Sequence, residues 1–85
     1  MYDSIEIQAQ LGVRIRERRR ELGLTQESLA ERAGLSRPSI ANVEAGRQNM
    51  GLRQLVSLAG ALDVDVAALF ARASSAANVA TTVMP

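Results

Sequence analysis

The chain has 85 residues, nine of them acidic and ten basic, for a net charge of +1. That length predicts one small domain with a modest core and no separate effector-binding domain. The absence of cysteine and histidine removes a disulfide framework, thiolate metal sites and the commonest catalytic base.

The first helix is expected to open on Asp3 and Glu6, a D-x-x-E capping box, and to run to about Leu22 before ending at Gly23. Ile7, Leu11, Ile15 and Leu22 give it an apolar stripe, with Val13 partly outside it. Five arginines, Arg14, Arg16, Arg18, Arg19 and Arg20, lie on its other faces. Glu17 and Glu21 stand three and four residues from several of them, so a solvated, salt-bridged face accounts for Arg14, Arg18 and Arg20. Arg16 is a candidate phosphate contact.

Residues 25–47 read as two short helices joined by a tight turn. Thr25 suits an N-cap, and Leu29, Ala30 and Ala33 repeat at helical spacing. Gly34 sits where a helix must stop in a left-handed turn. Ser36 is a second N-cap, and Pro38 falls in the first turn of the next helix, residues 37–45, where its missing N–H does no harm. Gly46 closes that helix. Leu29, Leu35, Ile40 and Val43 form the seam, and Ala30 is small where two crossing helices come closest. An ordinary αα-corner would explain the glycine and the seam. It would not explain an outer face carrying Arg37, Ser39 and Asn42, whose donors suit base edges in a major groove.

The loop GRQNMG follows, with Arg47, Gln48 and Asn49 as donors. It is either a plain polar loop or a contact to a nucleic-acid backbone. A fourth helix is expected over residues 52–62, where Leu52, Leu55, Val56, Leu58, Ala59 and Leu62 recur at helical spacing. Asp65 is an N-cap for a short fifth helix carrying Val66, Leu69 and Phe70, as core or as dimer surface, with Leu69 assigned to the core. Residues 73–85 carry no charged side chain and no periodicity, so a flexible tail is expected after a domain of residues 1–72. The reading is all-α: five helices, the second and third forming a helix-turn-helix.

The charge is polarised. Residues 32–53 hold Arg32, Arg37, Arg47 and Arg53 against Glu44 alone. The other acids fall outside that stretch. An all-arginine basic set is also what genomic base bias produces.

These features resemble the phage-repressor and Cro class of helix-turn-helix domains, the XRE family. Arg19, Thr25-Gln26, Leu29-Ala30, Gly34, Ser39-Ile40, Glu44, Gly46 and the run LVSLAGALDV with Leu69 carry the resemblance, across residues 11–70. The family's usual proline and serine are replaced by Met50 and Gly51, which leaves the fourth helix with a weak N-cap. The resemblance implies a compact five-helix, lambda-repressor-like fold and an ion pair between Arg19 and Glu44. It implies that Gln26 bonds a phosphate and buttresses the residue at Arg37, and that the loop after the recognition helix lies along the DNA backbone. Glu27 and Glu31 read first as a plain acidic helix face; the resemblance to lambda repressor, which touches RNA polymerase through acidic residues at the matching positions, implies the same contact as the sharper alternative.

The groove chemistry then assigns Arg37 to guanine, Asn42 to adenine, Ser39 to either kind of edge and Ala41 to a thymine methyl. Arg16, Gln26, Ser36, Arg47, Gln48, Asn49 and Arg53 are the expected phosphate contacts, helped by the backbone N–H groups at both helix starts. The expected function is a transcriptional regulator, a repressor and also a candidate activator. It would bind a near-palindromic operator on double-stranded DNA as a homodimer, through the fifth helix and its surroundings. The competing reading is a protein-interaction module of antitoxin or antirepressor type. No catalytic site, metal site or cofactor is expected, the close pair Asp63 and Asp65 being capping residues. No apolar run approaches a membrane span and no signal-peptide pattern is present, so the expected location is cytoplasmic.

Overall fold

The computed structural model describes residues 4–70. Asp3, the first half of the expected capping box, lies outside them, as do Arg72, the domain boundary at residue 72 and the segment 73–85. Four helices lie within the described residues: α1 (Ser4–Glu21), α2 (Gln26–Ala33), α3 (Arg37–Glu44) and α4 (Leu52–Ala61). A fifth, α5, opens at residue 66 and continues to at least residue 70. No described residue is in a strand.

The local signals act where the sequence puts them. Thr25 Oγ1 accepts the backbone N–H of Ser28 at 3.0 Å, and Ser36 Oγ accepts that of Ser39 at 3.2 Å. Each cap satisfies one of the four donors that a helix start leaves without partners. Gly34 turns the chain out of α2 with φ 68°, in the left-handed region that a Cβ disfavours. Its N–H and that of Leu35 close back onto the end of α2. The start of α4 has no side-chain cap, but Gln54 Oε1 accepts the Gly51 N–H at 3.3 Å. This is the returning half of a capping box, which a glycine at the cap position leaves single-sided.

The core gathers Leu11 and Ile15 from α1, Leu29, Ala30 and Ala33 from α2, Ile40 and Val43 from α3, and Leu55, Leu58 and Ala59 from α4, closed by Leu62 and Leu69. Leu35 packs against this cluster from the turn. The expected seam is therefore continuous with the core, and Leu69 lies fully inside it.

Three expected core positions are corrected. Leu52 is 74% exposed and Val56 53% exposed, although both fit the periodicity of α4. They stand four residues apart and stay in solvent, Val56 on the rim of a shallow depression that it shares with Arg32 and Ala33 of α2, and Leu55, Leu58 and Ala59 take the covered side. Leu22 is exposed because α1 has already ended at Glu21 and the chain turns at Gly23, with φ 70°. The arginine face also differs. Arg18 Nε donates to the carbonyl of Leu62 at 3.0 Å and its Nη1 to Glu21 at 3.3 Å, tying α1 to the end of α4. Arg14 is mostly covered, 3.9 Å from the same Glu21 carboxylate. Only Arg20 of that trio is a solvated side chain.

Candidate nucleic-acid interface

The second helix of the turn is gripped at its end and open at its start. Ile40 and Val43 bury one side of α3, and Glu44 is buried at its last residue. Arg19 reaches that carboxylate from α1. Its Nε donates to Glu44 Oε2 at 2.6 Å and its Nη2 to Oε1 at 3.0 Å, a two-point fork. Its Nη1 donates to the Leu24 carbonyl at 2.8 Å. Gln26, the first residue of α2, adds an Nε2 donation to Glu44 Oε1 at 3.2 Å. One carboxylate thus joins α1, α2 and α3. The side chains are only 10% and 4% exposed, so the pair is shielded from water. Its hydrogen bond to Glu44 holds the Arg19 guanidinium above its ordinary value, against the opposing pull of burial.

This gives Gln26 a different neighbour from the expected one. Its amide nitrogen serves Glu44 rather than the residue at Arg37. The reason is geometric: Glu44 is drawn in by Arg19 to the start of α2, where a glutamine at the first helical position can reach it.

The opposite side of α3 faces out. Arg37, Pro38, Asn42 and Ala45 are exposed, while Ser39 and Ala41 are half-buried on its flanks. Ser39 also accepts a hydrogen bond from the Ser36 hydroxyl at 3.0 Å, so both hydroxyls are already engaged in the cap. Pro38 stands on the exposed line with no donor to offer. The exposed hydrogen-bonding side chains of α3 are therefore Arg37 at its first residue and Asn42 five residues later.

Of the expected phosphate contacts, Arg16, Ser36, Arg47, Asn49 and Arg53 are exposed, and Gln26 and Gln48 are half-buried. Asn49 accepts a hydrogen bond from Gln8 of α1. That bond anchors the loop after α3 to the first helix. Because Glu44 is buried and neutralised, the exposed charge contributed by residues 32–53 is entirely positive: Arg32, Arg37, Arg47 and Arg53. Glu27 and Glu31 are both exposed, four residues apart on α2.

Two positions that matter to this geometry carry no motif. Gln8 and Gly12 lie on α1 and meet the loop and the end of α3. A glycine inside a long helix costs about 1 kcal/mol relative to alanine, and that local penalty is the signal that a close approach compensates it. Among the described residues no cluster of three or more potential metal ligands occurs, and no helix is long and apolar enough to cross a membrane.

The comparisons with known proteins agree on this architecture. A family model described as a helix-turn-helix matches residues 15–69. An immunity repressor protein of Bacillus phage phi105 is 46% identical over 59 residues, which cover 69% of this chain and 41% of that protein. The chain spans about half the length of several curated relatives it matches. The crystal structure of the clp gene regulator ClgR from Corynebacterium glutamicum superposes with a TM-score of 0.82 at 26% identity, covering 89% of this chain and 81% of that one. The restriction-modification controller protein C.AhdI from Aeromonas hydrophila superposes with a TM-score of 0.70 at 41% identity, covering 72% of this chain and 92% of its own.

Proposed function

The chain belongs to the XRE-type helix-turn-helix family, and on that premise we propose that it is a sequence-specific DNA-binding transcriptional regulator. The observation that carries the proposal is the asymmetry of α3. Its inner side is buried and its last residue is clamped by Arg19, while Arg37 and Asn42 project from the outer side. In this reading α3 enters the major groove, Arg37 pairs with guanine O6 and N7, and Asn42 pairs with adenine N6 and N7. Each bidentate pair is worth about 1–3 kcal/mol of discrimination. Ala41 and Ser39 supply the shorter contacts from the flanks. Arg16, Arg47 and Arg53 neutralise phosphates, and the first turns of α2 and α3 offer backbone N–H groups to the same strand.

One eight-residue helix reads about half a turn of duplex, so the protein acts as a homodimer on a near-palindromic operator with half-sites about one turn apart. The exposed Phe70 on α5 supports a dimer surface there. Repression is the favoured sign, because an immunity repressor is among the relatives. The exposed pair Glu27 and Glu31 supports a second role, contact with RNA polymerase from a promoter-bound dimer. The setting for all of this is the cytoplasm.

Selection from a random duplex pool at about 150 mM salt, where non-specific phosphate binding is weak, tests the proposal. An inverted repeat should emerge, and Arg37→Ala with Asn42→Ala should abolish it while the dimer persists. A pool that stays random with a folded protein would sink the regulator reading and favour a protein-interaction module.

A further inference from the structure

We propose that Gly12 is a positioning residue for base recognition: the missing Cβ on α1 sets the angle at which α3 is presented to DNA. The inference rests on the regulator reading above. A Cβ built at Gly12 would lie 2.5 Å from the carbonyl oxygen of Val43 and 2.8 Å from that of Glu44. Both contacts are to backbone, so no side chain can rotate out of the way. The glycine is buried between Leu11 and the α1 turn that carries Ile15, and α1 lies directly on the last residues of α3. A second close approach continues the same line. A Cβ at Gly46 would stand 3.1 Å from the Ala9 Cα, so small residues on both sides let α1 and the end of α3 meet backbone to backbone. Gln8 and Asn49 hydrogen-bond one step further on.

The consequence for recognition follows from leverage. Relief of the 2.5 Å contact to an ordinary 3.4 Å requires about 0.9 Å of separation at this crossing. Leu11, Ile15 and Arg19 hold α1 in the core, whereas α3 is short, about 12 Å long, and open at its first turn. Ile40, Val43 and the Arg19–Glu44 clamp hold α3 as well, so it yields as a rigid tilt about that grip, which swings its open first turn. A site holds productive geometry only within about 0.5 Å, so a shift of this size at the anchored end misplaces Arg37 and Asn42 against base edges. Phosphate contacts from exposed arginines tolerate the same shift, because long side chains with several rotatable bonds can follow a phosphate that moves by less than about 1 Å.

The test measures three quantities, far below the melting temperature, for wild type, Gly12→Ala and Ala9→Val. They are affinity for the selected operator, affinity for single-base variants of it, and affinity for non-specific duplex. Circular dichroism reports the fold. Gly12→Ala should lose about 10–100-fold in operator affinity, one or two base contacts' worth, with non-specific affinity within about threefold of wild type. Its base-preference profile should flatten at the positions that Arg37 and Asn42 read. A merely structural role lowers the melting temperature and leaves that profile unmoved. If Gly12→Ala does not fold, Ala9→Val decides, since it wedges the same crossing against Gly46 more gently. A folded variant with the wild-type profile overturns the inference alone. Failure of both variants to fold also overturns it, because the crossing would then hold the core rather than aim a helix. A folded wild type without sequence preference overturns the regulator reading and this inference together.

Discussion

Replacing Arg19 by alanine leaves the Glu44 carboxylate in place with one remaining partner, the Gln26 amide at 3.2 Å. Three hydrogen bonds vanish: the two to Glu44 and the one to the Leu24 carbonyl. In the intact pair the Glu44 side chain is only 4% exposed, so the carboxylate left behind sits largely within the core rather than in bulk water. Removing one member of a buried pair costs about 3–5 kcal/mol, most of it the penalty of the stranded charge. A domain of this size is stable by only about 5–15 kcal/mol in total. Each kcal/mol moves the melting temperature of a small domain by about 4–8 °C, so the expected drop is about 12–40 °C. Thermal and urea unfolding followed by circular dichroism measure it. The double replacement Arg19→Leu with Glu44→Leu should recover much of the loss, because it strands no charge. A loss under about 1 kcal/mol for Arg19→Ala would place the pair with exposed salt bridges and refute the reasoning. A double variant no better than the single one would refute the stranded-charge account in particular.

Three further outcomes are expected. Leu58→Ala should destabilise by about 2–5 kcal/mol and Leu52→Gln by no more than about 0.5 kcal/mol, compared by urea midpoints, despite their equal fit to the helical period. Gly34→Ala should cost about 1–2 kcal/mol of backbone strain, since a Cβ there meets nothing within 4 Å; operator affinity measured well below its melting temperature should stay at the wild-type value. The pH response follows from the raised Arg19 value. A cation held above its unfolded value contributes fully below arginine's ordinary range and is lost only as pH rises through the higher one. Melting temperatures should therefore be flat from about pH 6 to about pH 9, with no histidine to add a step; a fall of more than about 5 °C across that window would contradict the assignment.

What the sequence made legible was whatever is decided within a turn or two of helix. Thr25, Ser36, Gly34 and Gly46 act on neighbours, and each sits where its own chemistry demands. Periodicity located α4 but could not say which half of a wide apolar stripe another helix covers. Leu52 and Val56 therefore read the same as Leu55 and Ala59 until the packed core is in view. The contacts that fix α1 join residues far apart: Arg18 to the Leu62 carbonyl, Gln8 to Asn49, and Gly12 to the end of α3. No local rule pairs such positions. The partner of Gln26 illustrates the same limit, because it depends on where Arg19 has drawn Glu44. On the outer side of α3, exposure separates Arg37 and Asn42 from the half-buried Ser39 and Ala41, a distinction that residue type alone does not make.

Within this domain the long first helix is made before the elements it packs against. Arg19 waits 25 residues for Glu44, and Arg18 waits 44 for the Leu62 carbonyl. At about 5–20 residues per second of synthesis, those intervals last roughly 1–5 s and 2–9 s. Helix formation takes on the order of a microsecond and collapse of a small chain little longer. On the ribosome, then, α1 exists for seconds as a solitary segment with Leu11 and Ile15 uncovered and its partners unborn. The arginines and glutamates around its rim keep that waiting piece in solution, and the turn-linked pair α2 and α3 can assemble from neighbouring residues as soon as it emerges. Closure waits for the end of α4, which receives Arg18, and for Leu69 beyond it.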